Sequence, residues 1–107
     1  MFSTTLLPGR VLSVRELPLP PLGRDDVLVR ILAAPVNPAD LNIIEGTYPI
    51  KPDAFPAVGG NEGVGVVLAV GADVRPDGLV PGDRVIPVGP GMGTWRGPVQ
   101  QPLKTVR

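Results

Sequence analysis

One tyrosine stands alone in this sequence, in a turn that follows a short helical pattern. Tyr48 is the only tyrosine among 107 residues, and glycine and proline surround it. A phenol carries its proton at neutral pH, so it can donate that proton or stabilise a developing oxyanion. Tyr48 is therefore the first candidate for a catalytic residue. The alternative is a tyrosine that only packs against its own loop.

Other side chains offer weaker chemistry. Asp25, Asp26 and Glu62 form no spaced pair suited to acid–base catalysis. The two aspartates are typical of solvated turns, whereas Glu62 lies beside a strand start and is expected to be buried and paired. Trp95 beside Arg96 could stack on a ligand, and filling the core is the alternative role.

Two glycine clusters, at residues 59–63 and 89–93, look like phosphate-binding loops only superficially. Neither follows the order strand, GxGxxG, helix of a dinucleotide site, and neither contains the Gly-Lys-Ser/Thr of a P-loop. We interpret both clusters as turns or bulges. The sequence therefore predicts no cofactor-binding residue in this chain.

The composition excludes several classes of function. The chain has no cysteine and no histidine, which removes the usual zinc ligands and the Ser-His and Cys-His nucleophile systems, so no metal site is predicted. Its 10 acidic and 10 basic residues offer no electrostatic attraction to nucleic acid or to an anionic membrane. The 15 prolines and 14 glycines punctuate apolar runs, which favours a turn-rich β fold over disorder.

The apolar pattern indicates short strands separated by turns. We predict strands over residues 9–19, 27–34, 63–70 and 84–88, the second of them central in its sheet. The first 15 residues hold two arginines, four Ser/Thr and no acid, which is compatible with a mitochondrial presequence; a first strand with a frayed end is the alternative.

A short helix precedes Tyr48. Asn37 can cap it, Pro38 suits its first position, and Gly46 is a natural C-terminal residue. Leu41 and Ile44 lie three residues apart, so we expect them to share the face that docks on the sheet.

Five segments of the chain occur in an order that resembles one enzyme superfamily: residues 37–40, 46–52, 56–63, 81–87 and 93–96. The chain resembles the N-terminal, GroES-like half of the medium-chain dehydrogenases/reductases. Within that superfamily it is most similar to the mitochondrial trans-2-enoyl-thioester reductases. The Gly-Thr-Tyr-Pro turn together with Gly-Gly-Asn-Glu-Gly is the most specific part of this likeness.

The resemblance implies a mainly β fold: a GroES-like, partly open β-barrel with one or two short helices, truncated. It implies a variable N-terminal segment over residues 1–9, an incomplete GroES-like catalytic domain over 10–96, and an irregular tail over 97–107. Zinc-dependent members carry a cysteine near residues 37–40 and a Gly-His-Glu motif. Here Asn61 occupies the place of that histidine, so the resemblance is to a zinc-free reductase.

The resemblance also implies a reaction. Family members reduce enoyl-ACP or enoyl-CoA with NADPH in mitochondrial fatty acid synthesis, and the tyrosine that matches Tyr48 is their proton donor. It further implies an acyl thioester substrate, a homodimer and a mitochondrial location. The nucleotide-binding domain of the family is missing from this chain, so we expect the chain alone to be inactive. A zinc-free quinone oxidoreductase and a non-catalytic binding module are the alternatives.

Overall fold

The computed structural model describes residues 1–2, 8–75, 77–102 and 105–107. The elements, in chain order, are α1 (Pro8–Val11), β1 (Asp26–Ala33), α2 (Pro38–Glu45), β2 (Val64–Val70), β3 (Arg84–Val85) and β4 (Pro98–Pro102). The four strands form one antiparallel sheet in the order β3-β2-β1-β4, which does not close within the described residues. The prediction of a mainly β, partly open fold with one or two short helices is confirmed.

Strand β1 is the centre of the sheet, as its apolar pattern predicts. It pairs with β2 on one side and with β4 on the other. Val27 and Val29 face the core at 0% and 1% exposure, whereas Arg30 is exposed on the opposite face. Successive strand residues alternate between the two faces of a sheet, so this pattern buries one face and leaves the other accessible.

The prediction of a first strand over residues 9–19 was wrong. Pro8–Val11 form a single helical turn, Leu12 makes only an isolated bridge to Phe2, and residues 13–23 have no regular structure. Val14, an apolar residue of the predicted strand, is fully exposed. The prolines that follow lack N–H donors, and no described strand pairs with this segment. The part of the N-terminal predictions that falls on residues 3–7 lies outside the described residues.

The prediction of an irregular tail over residues 97–107 was also wrong. Residues Pro98–Pro102 form β4, with Val99 opposite Val29 of β1 and only 1% exposed. Farther along, Ile86 N–H donates to the carbonyl of Arg107 and Val88 N–H to that of Thr105, each at 2.9 Å. Residues 86–88 thus pair with residues 105–107 and not with β2, and β3 ends at Val85 rather than at the predicted residue 88.

A valine-to-alanine pair tests the new place of β4 in the core. We expect Val99→Ala to lower the free energy of unfolding by about 2 kcal/mol, because it removes buried methyl groups and leaves a cavity. Val14→Ala makes the same change at an exposed position and should alter that free energy by less than about 0.5 kcal/mol. Chemical denaturation of both variants measures the difference. Equal effects would contradict a buried β4.

Helix α2 has the predicted bounds, but the residues that it buries differ from those predicted. It begins after Asn37, and Gly46 ends it in the left-handed conformation at φ 80°. Ile44 is buried at 1% exposure, but Leu41 is 36% exposed, so the predicted Leu41/Ile44 stripe was wrong for Leu41. Asp40, four residues before Ile44, takes the inward position at 3% exposure. No helix in the described residues is long and apolar enough to cross a membrane.

Candidate functional site

Tyr48 lies at the edge of a cleft of about 520 Å³. The walls of this cleft, here called the Tyr48 cleft, come from the start of α2, the turn after it, residues 61–63 and the segment 86–90. Its lining residues are Asn37, Ala39, Asp40, Tyr48, Asn61, Glu62, Gly63, Ile86, Pro87, Val88, Gly89 and Pro90. The Tyr48 ring is half-buried, and its hydroxyl makes no hydrogen bond to a described residue.

The end of α2 determines where Tyr48 lies. The N–H of Gly46 donates to the carbonyl of Ile43 at 3.1 Å, and the N–H of Thr47 donates to that of Asn42 at 2.9 Å. These bonds satisfy carbonyls that the helix leaves free, and they reverse the direction of the chain after the last helical turn. Tyr48, two residues beyond Gly46, is thereby placed beside the helix rather than beyond its end.

A buried carboxylate organises the other side of the cleft. Asp40 accepts a hydrogen bond from the backbone N–H of Asn37 at 2.7 Å and another from the side-chain amide of Asn61 at 2.9 Å. The amide oxygen of Asn61 in turn accepts from the N–H of Gly91 at 2.8 Å. We call this chain of contacts the Asp40–Asn61–Gly91 network. The position of Asp40 in the first turn of α2 also suits its negative charge.

Glu62 is at the mouth of the cleft. Its carboxylate accepts a hydrogen bond from the side-chain amide of Asn37, which confirms the predicted pairing. Glu62 is exposed, however, so the prediction that it is buried was wrong. Asp25 and Asp26 lie at the start of β1, away from the Tyr48 cleft, and no described group of His, Cys, Asp and Glu side chains could hold a metal ion.

Trp95 and Arg96 lie behind the cleft and do not line it. The Trp95 ring packs over Gly59 and Gly60, and its N–H donates to the carbonyl of Pro35 at 3.1 Å. Arg96 is half-buried and donates to the carbonyls of Gly93 at 3.0 Å and Met92 at 3.4 Å. Burial away from water lowers the pKa of the Arg96 guanidinium below its ordinary value. Arg96 therefore holds the C-terminal end of the loop of residues 89–93, whereas Trp95 packs against residues 59–60.

Sequence reasoning missed two parts of this site. It did not find the Asp40–Asn61–Gly91 network, and it interpreted residues 89–93 only as a turn or bulge. The spacing of Asn37 and Asp40 was the available signal, because an acidic residue at the third helical position commonly bonds back to the cap. Nothing in the sequence indicated that Asn61 would lie against that carboxylate.

The fold and this site define a class of protein. Residues 23–100 match the family described as the alcohol dehydrogenase GroES-like domain, and the chain belongs to that family. Within it, the likeness is to the mitochondrial enoyl reductases, as the sequence motifs predicted. The enoyl-[acyl-carrier-protein] reductase, mitochondrial, of Bos taurus is 53% identical over 89 residues, which cover 83% of this chain and 23% of that protein. The chain thus spans about a quarter of that relative.

Two solved structures extend the comparison. The Etr1p/NADP/crotonyl-CoA complex superimposes with a TM-score of 0.88 at 34% identity, covering 99% of this chain and 31% of that one. A quinone oxidoreductase from Pseudomonas syringae gives a TM-score of 0.79 at 32% identity with the same coverage. The enoyl reductase thus matches the fold more closely than this quinone reductase does.

Proposed function

We propose that this chain is part of an NADPH-dependent trans-2-enoyl-thioester reductase, in which Tyr48 is the proton donor. The observation that carries the proposal is that Tyr48 lines an open cleft and that its hydroxyl makes no hydrogen bond to a described residue. The relatives named as enoyl reductases support the reaction class. The incomplete catalytic domain, predicted over residues 10–96, extends in this proposal to Pro102, because β4 pairs with β1 in the same sheet and the family match covers residues 23–100.

NADPH, when bound, supplies a hydride to the β-carbon of the enoyl thioester. The contribution of this chain is the proton. As the β-carbon gains hydrogen, an electron pair moves toward the thioester carbonyl and leaves the α-carbon basic. The Tyr48 O–H then breaks, its proton goes to the α-carbon, and the phenolate regains a proton from solvent. One double bond is lost and two C–H bonds form, so the reduction is balanced.

The described residues do not fit a nucleotide. The loop at residues 59–63 leads into β2, an antiparallel strand, and the loop at 89–93 leads into no helix, so neither presents a helix N-terminus to a pyrophosphate. We therefore assign NADPH binding to a part of the protein beyond these residues. The acyl thioester substrate, a homodimeric assembly and a mitochondrial location are proposed on the family likeness alone.

A titration with NADPH tests whether the nucleotide binds outside the described residues. We expect the 107-residue chain alone to show no saturable NADPH binding and no enoyl reduction. A chimera provides the comparison: residues 23–100 of this chain replace the matching segment of the bovine relative. The chimera should bind NADPH. Fluorescence of the reduced nicotinamide measures NADPH binding by the isolated chain and by the chimera. Saturable binding by the isolated chain would contradict the assignment.

The chimera also separates the candidate functions. Oxidation of NADPH in the presence of crotonyl-CoA, measured by absorbance, supports the enoyl reductase. Turnover with a quinone but not with crotonyl-CoA supports the quinone oxidoreductase, which the Pseudomonas structure keeps as the second candidate. A chimera that folds, binds NADPH and reduces neither substrate would favour the non-catalytic module.

A further inference from the structure

The Asp40–Asn61–Gly91 network lies between two cavities. One is the Tyr48 cleft; the other has about 440 Å³ and lies on the far side of the loop of residues 89–93. Asp40, Asn61 and Pro90 line both cavities, so together they form the partition between them. The position of the loop therefore decides how the space beside Tyr48 is divided.

Asn61 holds the tip of that loop. Among the described residues, its bond to Gly91 is the only hydrogen bond made by residues 89–91, which are all exposed. The C-terminal end of the loop is fixed separately, because the N–H groups of Gly93 and Thr94 donate to the carbonyl of Gly60. The other end follows Val88, whose N–H donates to the carbonyl of Thr105. Without Asn61, both ends of the loop would still be held, but its tip at residues 89–91 would keep no described hydrogen bond.

The side-chain amide of Asn61 satisfies both of these partners. The carboxylate of Asp40 accepts hydrogen bonds, and the N–H of Gly91 donates one, so the group between them must donate on one side and accept on the other. These partners also fix which end of the Asn61 amide faces Asp40. Asp40 is 3% exposed, so solvent does not readily replace its contact with Asn61, whereas the contact between Asn61 and Gly91 is exposed.

We infer that Asn61 is a positioning residue: oriented by Asp40, it holds the loop of residues 89–93 as the wall of the cleft beside Tyr48. The inference rests on the proposed function, because the wall matters only if a substrate is protonated there. Asn61 acts through the backbone of Gly91 and donates no proton to the substrate. Its loss should lower kcat and leave the KM for NADPH unchanged.

An exchange of the two side chains tests the inference in the chimera. Asn61→Asp places two carboxylates against each other, and Asp40→Asn leaves an N–H group facing another N–H group. Each change should lower kcat with crotonyl-CoA by about tenfold or more, since a buried polar group is left unsatisfied. In the double variant the amide at position 40 still accepts from Asn37 and donates to the carboxylate at position 61. That carboxylate still accepts from Gly91, so kcat should return to within about threefold of the parent.

A control and a second readout complete the experiment. Asn42→Asp makes the same chemical change in α2 at a side chain with no described hydrogen bond, and it should leave kcat unchanged. Hydrogen exchange measured by mass spectrometry should be faster in the peptide spanning residues 89–93 in each single variant and normal in the double variant. This readout also applies to a variant that has lost turnover.

The outcomes separate this inference from the proposed function. Single variants with parental kcat, or a double variant no better than the product of the two single losses, would overturn the role of Asn61. If Tyr48→Phe slows the same chimera in either of these cases, the proton-donor proposal stands. If Tyr48→Phe turns over normally, the proposed function fails first.

Discussion

Tyr48→Phe in the chimera is expected to slow enoyl reduction by about 10²- to 10⁴-fold, the range by which a positioned general acid accelerates a reaction. Phenylalanine keeps the half-buried ring and removes only the hydroxyl, which has no described partner to lose. The free energy of unfolding should therefore change by less than about 0.5 kcal/mol. NADPH affinity should be unchanged, because the described part of the chain offers no nucleotide site. The residual rate should come from protonation by water.

Thr47→Val provides the matched control. It removes a neighbouring hydroxyl whose bond to the carbonyl of Asn42 is long, at 3.4 Å, and leaves the helix-capping bond from the Thr47 N–H in place. Its kcat should equal that of the parent chimera. Steady-state kinetics with crotonyl-CoA measures both variants. If Tyr48→Phe keeps the parental kcat, Tyr48 is not the proton donor, and packing of its loop becomes the better interpretation.

The parts of the fold that sequence predicted correctly are those set by local pattern. Strands β1 and β2 hold runs of valine, leucine and isoleucine, and α2 carries its own start and stop signals at Asn37 and Gly46. The failures depend on distant partners. Val99 is buried because it lies opposite Val29, 70 residues earlier in the chain, and no local period reports such a pairing. The segment at 13–23 has strand-like alternation, but no strand among the described residues pairs with it.

In the candidate site, too, local sequence pattern predicted some residues correctly and missed those that depend on distant partners. Tyr48 could be selected from the sequence because it is unique and follows a helix-ending glycine. Asn61 could not, because its partners are 21 and 30 residues away in the chain. The spacing of Asp40 from Asn37 permitted a capping bond, but it gave no indication of a second partner. The burial of a polar residue such as Asp40 depends on a hydrogen-bond partner, and here the partner Asn61 lies in another segment of the chain.

The two glycines before Asn61 connect the fold to the site. They allow the Trp95 ring to lie directly over the backbone that presents Asn61 to the cleft. A Cβ atom on Gly59 would lie 2.6 Å from a carbon of that ring, closer than real side chains approach. What the sequence marked as a turn is therefore a close contact between a loop and an aromatic ring. The largest effect on stability is expected at the second glycine.

Gly60→Ala is expected to lower the free energy of unfolding by about 2–5 kcal/mol. Two costs combine. Gly60 has φ +98°, a conformation that costs an L-residue about 1–2 kcal/mol. Its new methyl would also lie 2.3 Å from Thr94 Oγ1, 2.6 Å from Trp95 Cδ1 and 2.9 Å from the Trp95 backbone nitrogen, an overpacking that costs about 1–3 kcal/mol. The backbone nitrogen cannot rotate away, so this contact is not relieved by a new rotamer.

Gly82→Ala separates the cost of the positive φ from the cost of overpacking. Gly82 has almost the same φ, +97°, and a methyl there would meet no atom within 4 Å. Chemical denaturation should therefore show a loss of about 1–2 kcal/mol for Gly82→Ala and a larger loss for Gly60→Ala. The emission of Trp95, the only tryptophan, should shift in the native state of Gly60→Ala alone. Equal losses with unchanged emission would mean that Trp95 does not pack over Gly60, and the support behind Asn61 would have to come from elsewhere.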